Sequence, residues 1–281
     1  MRRSAEFAVI GGTGLYSLFE GGEELEVDTP YGRPSSVITL HEVDGRRVAF
    51  LARHGVDHRF PPHQVPYRAN IWALAAIGVT RVVAPCAVGS LRRHLPPGAV
   101  VIPDQLLDRT HGRPSTFYDT AAVHVPFADP YCPQLRTTAF QAGVSLGADV
   151  RDGATMTVVQ GPRFGTRAEA EWHRQAHADL VNMTALPEAA LARETALCYA
   201  SIAVVTDWDA GTREGDGVTQ HAVMTRFNAA LDTVRTLLTS IVGAVPEVRA
   251  CRCGSALDGL AVANLVPVRA ADDYATAPKQ A

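Results

Sequence analysis

The chain has 281 residues, 47% hydrophobic and 20% charged, with a formal net charge of −3. That length buries a sizeable core, as one large α/β domain or two smaller ones. Arginines are scattered and lysine is almost absent, so no basic stripe is offered to nucleic acid or to an anionic membrane.

No apolar run approaches the roughly 18 residues of a spanning helix. Arg2 and Arg3 suggest a twin-arginine leader, but the stretch after them carries Glu6, Gly11, Gly12 and Gly14 and lacks an apolar region. A cytoplasmic location is the expectation. Of the five cysteines, Cys86, Cys132 and Cys198 lie in apolar or turn contexts and read as reduced core thiols. Cys251 and Cys253 form a C-x-C. Alone it is a weak metal signal, because a metal would need partners from elsewhere, and pairing of the two with each other is left open.

In chain order, residues 7–10 are a short apolar strand closed by Gly11-Gly12-Thr13-Gly14. Residues 37–40 and 47–52 flank Asp44-Gly45 as a hairpin. Residues 67–77 repeat apolar positions at helical spacing, and Gly78 ends them. Residues 79–84 and 99–102 read as strands. Residues 108–118 are polar and irregular and read as a functional loop. Residues 133–146 are helical, 155–160 a strand, 167–176 helical and 180–182 a short strand. Residues 187–197 form a helix with Pro187 in its first turn. Residues 199–206 read as an eight-residue apolar strand, buried on both faces. A polar loop over 211–217 leads into a long amphipathic helix over 218–242, and the tail beyond Pro246 has little pattern. Strands alternating with helices imply an α/β fold with a parallel or mixed sheet.

Four segments carry chemistry. Gly11-Gly12-Thr13-Gly14 lets backbone N–H groups approach an anion, or is a plain tight turn. It lacks the lysine of a nucleotide triphosphate loop and the spacing of a dinucleotide loop. Arg53 ends an apolar strand, where a guanidinium meets an anion. His54, His58 and His63 follow it in a loop with Asp57 as the one carboxylate, which favours an anion-binding loop over a metal site. Asn182-Met183-Thr184 follows a short strand, so it faces a ligand crevice or has Thr184 capping the next helix. Asp207 and Asp209 end the long apolar strand. Two carboxylates at i and i+2 share one side of an extended chain, and mutual repulsion would keep one protonated, giving an acceptor and a general acid together. The alternative is a cap or turn with solvated acids.

These residues occur in a set order. Gly11-Gly12-Thr13-Gly14-Leu15, Arg53-His54-Gly55, Arg68-Ala69-Asn70-Ile71-Trp72-Ala73-Leu74, Gly89-Ser90-Leu91 and Ile102-Pro103-Asp104-Gln105 come first. Then come Asp108-Arg109-Thr110, Thr116-Phe117-Tyr118-Asp119, Gly161-Pro162-Arg163-Phe164, Asn182-Met183-Thr184, Pro187-Glu188 and Thr206-Asp207-Trp208-Asp209. Together they resemble the purine nucleoside phosphorylase and methylthioadenosine phosphorylase family, over about residues 7–245. The resemblance implies a single α/β domain over residues 1–245, with a mixed, partly barrel-like central sheet flanked by helices, and a tail over 246–281. It implies phosphate as co-substrate, no metal, no organic cofactor, and a homotrimer or dimer of trimers with the site near a subunit boundary.

The resemblance also implies roles. Thr13, Arg53, His54, Cys86, Ala87 and Thr184 match the phosphate shell. Met183 matches the residue under the ribose, Phe164 the one beside the base, and Asp207 and Asp209 the purine-reading pair. His124 matches a residue lent by the neighbouring subunit to the 5′ end. Gln220, Val223 and Met224 match the lining of the 5′ pocket. Three positions depart from the family pattern. Cys86 replaces a threonine, and a thiol is a weak donor. Gly165 stands where serine is common, and Gln220 where a small apolar residue meets the 5′-methylthio group. A glutamine there can hydrogen-bond a 5′-hydroxyl.

The expected reaction is phosphorolysis of methylthioadenosine, with Asp207 protonating the purine and Asp209 accepting from its 6-amino group. The alternatives are a broader phosphorylase, acting on adenosine, inosine, guanosine or methylthioinosine, and a non-catalytic nucleoside-binding protein.

Overall fold

The computed structural model describes residues 5–12, 15, 21–212 and 217–260. Eleven strands form one sheet: β1 (Phe7–Gly11), β2 (Glu23–Leu25), β3 (Ile38–Val43), β4 (Arg46–Ala52), β5 (Arg81–Ser90), β6 (Val100–Ile102), β7 (Gln105–Arg109), β8 (Val150–Asp152), β9 (Thr155–Val159), β10 (Leu180–Asn182) and β11 (Cys198–Trp208). The helices are α1 (Tyr67–Ala76), α2 (Pro133–Ser145), α3 (Arg167–Gln175), α4 (Ala185–Glu194) and α5 (Gln220–Ala244). The order runs β2-β3-β4-β1-β5-β10-β9-β7 and branches at β5, which also pairs with β11, and through it with β6 and β8. The sheet is mixed, as expected. β1 runs parallel to β4 and β5, and β11 parallel to β5, while β10 meets β5 antiparallel.

The central strands are buried along most of their length, because both of their faces are covered. Alternate side chains point to opposite faces. Ala8, Ile10, Ala49, Leu51, Tyr199, Ala203 and Val205 pack into the core that holds α1 and α4. Phe7, Val9, Val48, Phe50, Ala200, Ile202 and Val204 pack into the core that holds α2 and α5. In α5, Phe227, Val234, Leu237, Leu238, Ile241 and Val242 make the buried stripe.

The hairpin expected at Asp44-Gly45 is present, with both residues at positive φ between β3 and β4. Pro187 does open the regular part of α4. Leu186 before it is extended, as a residue preceding proline prefers. That helix stops at Glu194, short of residue 197. The polar segment 108–118 starts as the end of β7, because Leu106 to Arg109 pair with β9. The short strands β2 and β8 were not anticipated; three residues show no alternation to read. Among the described residues no helix is long and apolar enough to cross a membrane.

Residues 246–260 of the tail pack on the body. Arg81, buried at the start of β5, donates to the carbonyls of Pro246 and Glu247 at 2.8 Å each and pairs with Glu6. One side chain thus ties the entry to β1, the entry to β5 and the exit of α5. Arg81→Ala should strip the Pro246 and Glu247 carbonyls of their donor and lower unfolding stability by about 1.5–3 kcal/mol. Urea unfolding checks this, and a midpoint equal to that of the parent would reject the clamp.

Candidate active site

β1, β4, β5 and β11 are mutually parallel, so their carboxyl ends share one edge of the sheet. Ligand crevices of open α/β sheets lie at such an edge. A cavity of about 350 Å³ opens there. Arg53, His54, Cys86, Ala87, Phe164, Gly165, Met183, Thr184, Asp207, Asp209, Gln220, Val223 and Met224 all line it. Thr13 lies outside the described residues. His124 is exposed, on the segment between β7 and α2, and is not in the cavity wall. Of the three loop histidines, His54 and His58 reach the cavity, stacked with ring centroids 4.9 Å apart, and His63 does not.

At one end, Arg53 has already met an anion. Its Nε and Nη2 donate to the two Glu188 carboxylate oxygens at 2.8 and 2.9 Å. Nη2 also reaches the Ile10 carbonyl and Nη1 the Pro85 carbonyl. Tyr199 donates its hydroxyl to Glu188 at 2.7 Å. Burial works against the guanidinium's charge, but Glu188 outweighs it and raises the pKa further. Among the described residues the second Nη1 hydrogen is left for the cavity. Gly12 lets this happen: a Cβ there would sit 2.8 Å from the Pro85 oxygen and 3.0 Å from Arg53 Nη1. In the sequence, Glu188 stands only in the Pro187-Glu188 motif at a helix start. A lone acid after proline gives no hint of a partner 135 residues away.

Burial, and then the Arg53 charge, push the His54 imidazole down to about 4, so it is neutral. Its Nδ1 lies 2.8 Å from the Phe60 carbonyl and must donate. Nε2 is therefore an acceptor. Thr184 stands at the N-cap position of α4, yet its hydroxyl makes no capping bond. Asn182 serves instead, accepting from the backbone N–H of Thr184 and Ala185 at 2.7 Å each. The Thr184 hydroxyl is thereby spared from capping; it lies 3.5 Å from Asn182 Oδ1, on a residue that lines the cavity. Cys86 keeps its proton, because burial pushes the thiol up to about 12.

At the other end stand Asp207 and Asp209. The register of β11 against β5 shifts between Val205 and Asp207, a bulge that re-aims the strand end. Asp207 Oδ2 accepts from the Thr206 hydroxyl at 2.7 Å, while Oδ1 is buried with no partner among the described residues. Burial, more than any neighbour, raises the Asp207 carboxyl to about 6; the Asp209 charge adds to this, and Thr206 and Arg226 oppose it. The expected cause, mutual repulsion, is thus secondary to desolvation. Asp209 is also raised by burial, against a bond from the Ala210 N–H. Both acids crowd Gly89: a Cβ there would lie 3.0 Å from Asp207 Oδ1 and 3.1 Å from Asp209 Cβ.

Between the two ends, Met183 forms a wall, and the half-exposed Phe164 stands at the mouth beside Gln220, Val223 and Met224 from the first turn of α5. Arg113, which the sequence did not single out, fixes this wall. It donates to the carbonyls of Met183, Leu186 and Gln160 at 2.9, 2.7 and 2.6 Å. This is what the irregular segment 108–118 contributes.

A family model described as Phosphorylase superfamily matches residues 6–243. The chain is 50% identical to a purine nucleoside phosphorylase of Streptomyces coelicolor, covering 91% of this chain and 95% of that one. It is 53% identical to an S-methyl-5'-thioadenosine phosphorylase of Mycobacterium tuberculosis, covering 86% and 90%. The crystal structure of a methylthioadenosine phosphorylase from an antarctic soil metagenomic library superposes with a TM-score of 0.85 at 40% identity, covering 91% and 92%. The chain belongs to the phosphorylase superfamily, in its purine nucleoside and methylthioadenosine phosphorylase family.

Proposed function

We propose that the protein cleaves S-methyl-5'-thioadenosine with inorganic phosphate, giving adenine and 5-methylthioribose 1-phosphate. The observation that carries the reading is Asp207: a buried carboxyl with one orphaned oxygen, in the same cavity as Arg53, His54 and Thr184. Phosphate and nucleoside suffice as substrates, with no organic cofactor in the reaction.

Phosphate fits the Arg53 end. The free Nη1 hydrogen and the Thr184 hydroxyl donate to it, and the O–H that the phosphate dianion retains can donate a hydrogen bond to the neutral His54 Nε2. The C1′–N9 bond breaks ahead of phosphate attack, leaving a cationic ribose that the dianion stabilises by charge and proximity. The bonding pair goes to the purine, and Asp207 Oδ1 supplies a proton to N7. A phosphate oxygen then closes on C1′. Asp209 accepts from the 6-amino group, which favours adenine over 6-oxo purines.

Gln220 supports a second reading. It lines the mouth of the cavity and offers a hydrogen bond to a 5′-hydroxyl, so adenosine is a further substrate. The same reading assembles the chain as a homotrimer or dimer of trimers, with the exposed His124 directed to the 5′ end of a neighbour's nucleoside.

The direct test is purine release from methylthioadenosine, adenosine, inosine and methylthioinosine, with and without phosphate. Release from the 6-amino substrates should require phosphate. No phosphate-dependent release from any of them would leave a nucleoside-binding protein.

Asp207 must be protonated to act, and its carboxyl loses the proton as pH rises through about 6. kcat/KM should therefore fall with rising pH from that point. Asp207→Asn should cost about 10²- to 10⁴-fold in turnover and abolish that limb, with little change in phosphate KM. A variant with the parent's limb would sink the acid assignment.

Thr184→Val keeps the side-chain shape and removes one hydroxyl. Phosphate KM should rise by about tenfold, equivalent to one hydrogen bond to a charged group. Steady-state kinetics with varied phosphate measures it, and an unchanged KM would remove Thr184 from the phosphate shell.

A further inference from the structure

Far from the cavity, the fold collects four cysteines from three separate parts of the chain. Cys132 is the N-cap of α2, Cys198 opens β11, and Cys251 and Cys253 flank the start of a 3₁₀ turn over Arg252–Ser255. All four sulfurs lie within 4.8 Å of one another, and Cys198 and Cys251 approach to 3.3 Å. Cys132, Cys198 and Cys253 are buried and Cys251 is partly so; all are free thiols.

Zinc bound tetrahedrally by thiolates at about 2.3 Å requires sulfurs roughly 3.8 Å apart. The cluster has that scale, with the sulfurs gathered round a point instead of joined in pairs. The C-x-C that was a weak signal alone gains the two partners it lacked. Four protein sulfurs leave no open position, which is the pattern of a structural site. The backbone N–H of Leu135 points at Cys132 Sγ at 3.5 Å, and the first turn of the 13-residue helix α2 favours negative charge there.

We propose that Cys132, Cys198, Cys251 and Cys253 form a structural tetrathiolate site for one zinc ion. Zn²⁺ taken from the medium replaces four thiol protons, which pass to solvent, and the site carries a net charge of two minus. No electron is transferred. This departs from the absence of metal that the family resemblance implies. It concerns the tail, since the family match ends at residue 243. The site has no part in the reaction: Cys198 and Asp207 stand at opposite ends of β11, roughly 30 Å apart at the usual rise per residue. Its effect is to close the tail onto the body. Around it, Arg249 donates to the Ala196 carbonyl at 3.0 Å, and Gln134 bonds both Val248 and Ala250.

The test is metal analysis of the full-length protein purified without chelator, alongside thiol titration. One equivalent of zinc per chain is expected. A mercurial reagent should release it, and Cys86 should be the only thiol outside the site. In the Cys251→Ser/Cys253→Ser variant the zinc should be lost and Tm should fall by several degrees, with kcat for the nucleoside unchanged. Should that variant not fold, Co²⁺ exchanged into the parent protein should give the visible bands of a tetrahedral tetrathiolate. Five free thiols with no zinc bound after its addition would overturn the proposal. So would disulfides among the four cysteines, or a Co²⁺ spectrum without thiolate charge transfer.

Discussion

The bond between Arg53 and Glu188 holds together the parts from which the cavity is made. Arg53 comes from the end of β4 and Glu188 from α4, and the pair also takes in Tyr199 of β11, Ile10 of β1 and Pro85 of β5. Removing two charges from water costs several kcal/mol each, and attraction repays this only where the remaining hydrogen-bonding capacity is also satisfied. Here all of it but one Nη1 hydrogen is, by the Tyr199 hydroxyl on the acid and two backbone carbonyls on the base. The chemical consequence is as important as the mechanical one. Glu188 offsets most of the positive charge that Arg53 would present, and His54 is neutral. The Arg53 end of the cavity is therefore a set of directed hydrogen bonds more than a point of high positive potential. Such a site orients an anion by direction more than by charge.

Burial does at the Asp207 end what pairing does at the Arg53 end. Asp207 is the last polar side chain on a strand that is otherwise closed on both faces, so its carboxyl meets little water. That alone favours the protonated form. The bulge after Val205 and the missing side chain at Gly89 give the two aspartates room at the cavity wall. A glycine with no turn to make is explained by this close approach.

The sequence was most informative where one property repeats along the chain. Continuous apolar runs announced strands covered on both sides, and the strand-end positions of Arg53, Asn182 and Asp207 announced the crevice. Short-range rules failed where the partner is distant. Nothing near Glu188 pointed to Arg53, and nothing near Arg113 pointed to the Met183 carbonyl. For Thr184 two local readings were open. The structure separates them, because Asn182, two residues earlier, takes over the capping bonds. The raised carboxyl of Asp207 was legible, but its cause was not, since two acids in sequence advertise repulsion and only the fold shows desolvation. The four cysteines were visible singly; their convergence is a property of topology.

β11 links these themes. It begins at Cys198 among the four thiols and ends at the aspartates, and between them it pairs with β5 on one side and β6 on the other. Its position depends on what holds its two ends, because its middle is fixed by two close-packed cores that tolerate little displacement. The start is held by the tail through Arg249 and the contacts around Cys198. The far end is followed by α5, whose first turn carries Gln220, Val223 and Met224 over the cavity. The exit of α5 then returns through Arg81 to the start of β5, beside the start of β11. The strand and the helix thus form a closed circuit from the tail to the cavity and back. Asp207, at the end of β11, and the cavity-lining start of α5 belong to elements that the tail fastens together.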